Sequence, residues 1–106
     1  HWTIDGAVTS QFENHLRAVL DLPLGSPAGR ATYSVMVNVL GTDKGGIYAA
    51  YRHVMAREPH AKVHMYGKSP RPGRKLGHVT ISGDDLPSLI ERGNHAADYL
   101  AGVIDE

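Results

Sequence analysis

Cysteine is absent from this sequence, which excludes disulfides, thiol nucleophiles and thiolate metal sites and fits a reducing compartment. Net charge is lacking too. Eleven lysines and arginines balance eleven acids, so broad attraction to nucleic acid or to an anionic membrane is not expected, and any anion binding has to be local. No apolar run approaches the roughly 20 residues that a membrane span needs, and no basic-then-apolar signal segment opens the chain. A soluble, cytoplasmic protein is expected, without nucleic-acid or membrane partners. The chain also opens without an initiator methionine, on HWTIDGAVTS, which reads as the middle of something longer or as a processed chain. Its 106 residues suffice for one domain with a single small core, burying roughly two-thirds of the unfolded surface.

Hydrophobic periodicity supplies the elements. Ser10 and Glu13, three apart, form a capping-box pattern. Phe12, Leu16, Val19 and Leu20 then recur at helical spacing until Pro23 and Gly25 end the run. Gly25 to Arg30 reads as a loop. In TYSVMVNVLG, Val35, Val37 and Val39 alternate with Met36, Asn38 and Leu40, and apolar groups on both faces predict an interior strand, in which Asn38 would need a hydrogen-bond partner. After the turn GTDKGG, Ile47, Tyr51, Val54 and Met55 share a helical face that Pro59 closes. A half-buried strand follows, with Val63 and Met65 opposed to Lys62, His64 and Tyr66. A second strand opposes Val79 and Ile81 to His78, Thr80 and Ser82. Pairing the two in a hairpin would bring His64, Tyr66 and His78 to one surface. Leu86, Leu89, Ile90, Ala97, Leu100 and Ile104 mark a last helix, weakened at Gly93 by up to about 1 kcal/mol. The order α-β-α-β-β-α predicts an α+β fold with short strands and flanking helices.

The chemistry concentrates between the two hairpin strands. YGKSPRPGRKLGH carries Lys68, Arg71, Arg74 and Lys75 within eight residues, with no acid among them. Pro70, Pro72 and Gly73 constrain that loop, which lowers the ordering cost of gripping a ligand. Arginine offers a planar fork to phosphate oxygens and lysine a compact point charge, a mixture suited to a phosphomonoester. A solvated basic turn that protects a sheet edge accounts for the same residues. Other patterns are weaker. His60 and His64 lack an acid to complete a metal set, and LGTDKGG lacks the terminal Gly-Lys-Ser/Thr of a phosphate loop, so a tight turn is expected there. Asp84 and Asp85 suit a helix cap better than a catalytic pair. Ser10 and His15 make no triad. No catalytic, cofactor-binding or metal residue is expected within the chain.

Three stretches, HWTIDGAVTSQFENHLRAVLDLPLG, YGKSPRPGRKLGH and GHVTISG, together resemble the C-terminal portion of the N5-carboxyaminoimidazole ribonucleotide synthase family, ATP-grasp ligases of purine biosynthesis. The resemblance implies an enzyme that uses ATP and Mg2+ to activate bicarbonate and carboxylates the exocyclic amine of 5-aminoimidazole ribonucleotide, as a homodimer. It further implies that Lys68 and Arg74 contact the substrate's phosphate, with Lys75 and Arg71 in the same motif. Residues 1–22 would be the tail of the ATP-grasp domain and residues 23–106 a small C-terminal domain. The nucleotide-binding part and the glutamates that hold Mg2+ would precede this region, so the 106 residues alone should not turn over ATP. Two other readings remain open at this point: a free-standing domain that binds phosphorylated metabolites, and an interaction module that docks through Trp2 and Phe12.

Overall fold

The computed structural model describes residues 1–42 and 47–104, and for Ile47 the backbone alone. The expected turn GTDKGG falls largely outside the described residues. Helices α1 (Thr3–Gly6) and α2 (Gln11–Val19) lead into strand β1 (Tyr33–Leu40); a 3-10 turn (Ile47–Ala50) runs into α3 (Tyr51–Arg57); then come β2 (Lys62–Met65), β3 (Lys75–Gly83) and the long helix α4 (Leu86–Leu100). The fold is α+β, as expected. Its sheet is antiparallel in the order β1-β3-β2.

That order corrects one expectation. β1, with its apolar residues on both faces, is an edge strand, and β3 is the interior one. Asn38 is exposed and needs no internal partner. The burial lies on β3, where every residue from Leu76 to Ile81 is buried, including His78 and Thr80. Two layers cover it. On one face Val39, Val54 and Val79 pack with Ala96, Ala97, Leu100 and Ala101, joined by Val37, Val63 and Met65. On the other lies the opening segment, tied down by an isolated bridge between Ala7 and Gly29 and by Asp5, whose carboxylate meets His64 Nε2 at 2.6 Å. Gly93 is explained by the first face: a Cβ there would come within 3.2 Å of a Val37 methyl. The glycine sacrifices helix propensity for close contact between α4 and the sheet.

The helix boundaries follow local chemistry. Ser10 Oγ accepts from the Glu13 amide at 3.0 Å, while the Glu13 carboxylate pairs with Arg17. α2 ends in a Schellman arrangement, with Asp21 at φ 57° and bonds from the Leu22 and Asp21 amides to the Arg17 and Ala18 carbonyls. The stop thus precedes Pro23. Asp85 caps α4 by accepting from the Ser88 amide. On α3 only Val54 is buried, and Met55, placed on the same face by sequence, is exposed. The apolar face of α2 is also uncovered: Phe12 is 45 %, Leu16 60 % and Val19 67 % exposed.

Candidate functional site: a cationic loop on the β2–β3 hairpin

The expected pairing of β2 and β3 places Val63 opposite Val79 and His64 opposite His78. The loop between them is closed by a bond from the Tyr66 amide to the Leu76 carbonyl at 2.9 Å. Two glycines, Gly67 at φ 72° and Gly73 at φ 75°, take the left-handed conformations that turn the chain. A third glycine holds the loop from outside. Gly41 donates its amide to the Arg74 carbonyl at 2.7 Å and accepts from the Gly73 amide at 2.9 Å. A side chain at Gly41 would run into the Arg71 carbonyl. This close approach directly follows a register shift between Val39 and Leu40, where β1 turns out of regular pairing.

The four cations take different places on that loop. The ammonium of Lys68 lies 5.7 Å and that of Lys75 5.8 Å from the centre of the Tyr66 ring, both within cation–π reach. Lys68 Nζ also donates to the Lys75 carbonyl at 3.3 Å. The Arg74 guanidinium reaches across the loop to the Ser69 carbonyl at 3.2 Å. Arg71 is exposed, and its carbonyl accepts from the Arg74 amide at 3.1 Å. Two lysines are therefore gathered over one ring, and the two arginines sit along the same loop without being drawn to it. Among the described residues none of the four forms an ion pair with an acid.

Tyr66 is itself fixed from beneath. Its hydroxyl lies 2.7 Å from His78 Nδ1, and the His78 ring stacks on His64 at 4.9 Å between centroids. His64 in turn pairs with Asp5. His1 closes the group from the other side, 5.4 Å from the His78 ring and 5.5 Å from Phe12. Burial pushes the His78 imidazolium down to about 4, helped by the charges of His64 and Lys75 and opposed by Asp5. His78 is therefore neutral near pH 7, when it can accept the Tyr66 proton; burial also raises the Tyr66 phenol, keeping it protonated. His78 Nε2 is buried without a partner among the described residues. The grouping of His64, Tyr66 and His78 follows from strand alternation. Asp5 and His1 could not be found that way, since Asp5 lies 59 residues from His64 in sequence.

Beside the loop a pocket of about 230 Å³ is lined by Tyr48, Ala49, Met65, Gly67, Lys68, Pro70 and Leu76. A larger open cleft of about 500 Å³ lies toward the far end of the hairpin, between Asp5, Arg30, His60, Lys62 and Thr80. Arg30 is already engaged there, its Nε donating to the Ala7 carbonyl at 2.9 Å. Among the described residues no group of three His, Asp or Glu side chains could hold a metal ion. No helix among them is long and apolar enough to cross a membrane.

Comparison with known proteins places this loop in a family context. The N5-carboxyaminoimidazole ribonucleotide synthase of Mycobacterium bovis is 51 % identical over 104 residues, covering 95 % of this chain and 24 % of its own length. The crystal structure of N5-carboxyaminoimidazole ribonucleotide synthetase from Thermus thermophilus is 52 % identical, with a TM-score of 0.72 over 94 % of this chain and 26 % of the other. The Aspergillus clavatus N5-carboxyaminoimidazole synthase, solved with ADP and 5-aminoimidazole ribonucleotide, is 34 % identical with a TM-score of 0.77. It shares 94 % of this chain and 27 % of its own. The chain thus spans about a quarter of the length of these relatives. Residues 34–92, more than half of the sequence and including the whole cationic loop, match the family described as phosphoribosylaminoimidazole carboxylase C-terminal domain, and the chain belongs to that family.

Proposed function

We propose that this chain is the C-terminal part of an ATP-dependent ligase that carboxylates 5-aminoimidazole ribonucleotide to its N5-carboxy derivative, and that the Tyr66–His78 hairpin contributes its grip on the substrate's phosphate. The observation that carries the reading is the convergence of Lys68 and Lys75 over Tyr66 beside Arg74, in a loop stapled to Gly41 and free of acids. A dianion satisfies such a group directly, since no carboxylate of the loop competes for it. Lys68 and Arg74 are assigned the direct phosphate contacts, with Lys75 reinforcing the field and Arg71 on the exposed rim.

In this reading residues 1–22 are the tail of the ATP-grasp domain and residues 23–106 the small C-terminal domain. Bicarbonate is the co-substrate, the assembly is a cytoplasmic homodimer, and the groups that hold ATP and Mg2+ lie in other parts of the enzyme. The hairpin's own task is binding and orientation: a phosphate held remote from the reacting amine supplies binding energy that positions that amine. The uncovered face of α2 adds a docking role, with the nucleotide-binding part of the enzyme as occupant; relatives about four times longer than this chain supply the length for it. The proposal is tested in a complete enzyme bearing this sequence by Arg74→Ala. The expected result is a KM for 5-aminoimidazole ribonucleotide raised at least roughly tenfold, the loss of one charge-assisted contact, with the KM for ATP unchanged. Unaltered constants for both substrates would remove Arg74 from the site.

A further inference from the structure

We propose that Tyr66 is a positioning residue for the phosphate site: its ring, held in place by His78, is the seat that gathers Lys68 and Lys75 into one dianion-binding pair. This rests on the phosphate reading above and names the residue that arranges it. Three observations support it. The two ammonium groups lie at nearly equal distances, 5.7 and 5.8 Å, from a single ring centre. They come from opposite ends of the loop, seven residues apart; Lys68 is also held by its bond to the Lys75 carbonyl at 3.3 Å, but among the described residues the ring is the attraction that both ammonium groups share. The ring's negative face supplies that attraction. Among the described residues neither lysine is paired with a carboxylate that could supply it instead.

The hydroxyl helps to orient the ring, while the attraction for the cations belongs to the ring itself. Its hydroxyl shares a hydrogen bond with His78 Nδ1 at 2.7 Å. His78 is fully buried on the central strand and stacked on His64, which Asp5 anchors. A chain of contacts from α1 through β2 and β3 thus ends in the orientation of the half-buried Tyr66 ring. Both lysines are held at one ring before any ligand arrives. Part of the ordering cost of binding is met in the folded protein.

The test is made in a complete enzyme bearing this sequence, with the Lys68 and Lys75 signals identified through Lys68→Arg and Lys75→Arg variants. With the lysines 13C-methylated, NMR should show two methyl signals displaced by the ring current in the wild-type protein and restored to ordinary positions by Tyr66→Leu. On unmodified protein, 31P titration with ribose 5-phosphate should show dissociation constants weakened roughly tenfold by Tyr66→Leu, and within about threefold of wild type for Tyr66→Phe, which keeps the ring and loses the hydroxyl. Rescue by phenylalanine separates a seat for cations from a purely structural hydrogen bond. Should Tyr66→Leu fail to fold, the wild-type methyl shifts and the Tyr66→Phe affinity still decide. Undisplaced lysine signals, or wild-type affinity in Tyr66→Leu, would overturn the role of Tyr66 while leaving the phosphate site intact. Lys68→Ala serves as the control: ribose 5-phosphate binding that is absent in the wild type, or indifferent to Lys68→Ala, would overturn the phosphate reading and this role with it.

Discussion

Replacing Gly41 by alanine tests whether the cationic loop is held from outside. The added methyl would collide with the Arg71 carbonyl, so loop and strand end must separate. Separation breaks the bond from the Gly41 amide to the Arg74 carbonyl and that from the Gly73 amide to the Gly41 carbonyl. Two backbone bonds of about 0.5–1.5 kcal/mol each amount to about 1–3 kcal/mol. The stiffer unfolded chain of the alanine variant returns about 0.4–1 kcal/mol. The middle of these ranges, a net loss of about 1.3 kcal/mol, corresponds to a fall in Tm of roughly 5–10 °C for a domain this small. Thermal unfolding followed by circular dichroism measures it, and ribose 5-phosphate affinity should fall in parallel, because Arg74 leaves its place. Gly67→Ala is the natural comparison: φ is 72° and nothing lies within 4 Å of the added methyl, so it should cost about 1–2 kcal/mol of backbone strain without releasing the staple. A Gly41→Ala protein with unchanged Tm and unchanged affinity would refute the account of the loop.

Stability should fall in acid through His78, whose imidazolium is pushed down from 6.5 to about 4. The unfolded chain takes up this proton first, so the contribution is complete above pH 6.5, declines between pH 6.5 and 4, and is gone below; the shift is worth about 3 kcal/mol undiminished and about 1–2 kcal/mol after solvent screening. Urea unfolding from pH 7 to 4 should show this slope in the wild type and a shallower one in His78→Gln, and equal slopes would contradict it. Arg92→Met should destabilise by about 2–3 kcal/mol by stranding the buried Glu58 carboxylate, whose Oε2 now accepts from Arg92 Nε at 2.9 Å and pairs with Nη2 at 2.8 Å. Calorimetry showing a loss below about 0.5 kcal/mol would mean that water replaces the arginine.

Much of the site was legible because a hairpin carries its own arithmetic. Alternation in KVHMY and LGHVTIS was enough to pair the strands and to put His64, Tyr66 and His78 on one face, where the structure has them. The same arithmetic misplaced β1, since apolar residues on both faces of a strand can mean a layer above and below as well as a neighbour on each side. The opening segment provides that second layer, and α1, at four residues, is too short for any periodicity to announce it. Contacts distant in sequence were invisible: nothing around Asp5 points to His64, nor around Gly41 to Arg74. The helix at α2 was readable from its cap and its spacing, yet periodicity reports only that a face is apolar. Whether Phe12, Leu16 and Val19 are covered depends on what lies opposite them.

The most direct measurement compares two ligands and two proteins in a complete enzyme bearing this sequence: 5-aminoimidazole ribonucleotide and its dephosphorylated nucleoside, against the wild type and Lys68→Ala/Arg74→Ala. If these cations hold the phosphate, the wild type should bind the nucleotide at least roughly a hundredfold more tightly than the nucleoside, as expected for the loss of two charge-assisted contacts, and that preference should collapse in the double variant. A preference of the same size in both proteins would contradict the claim that this loop grips the phosphate.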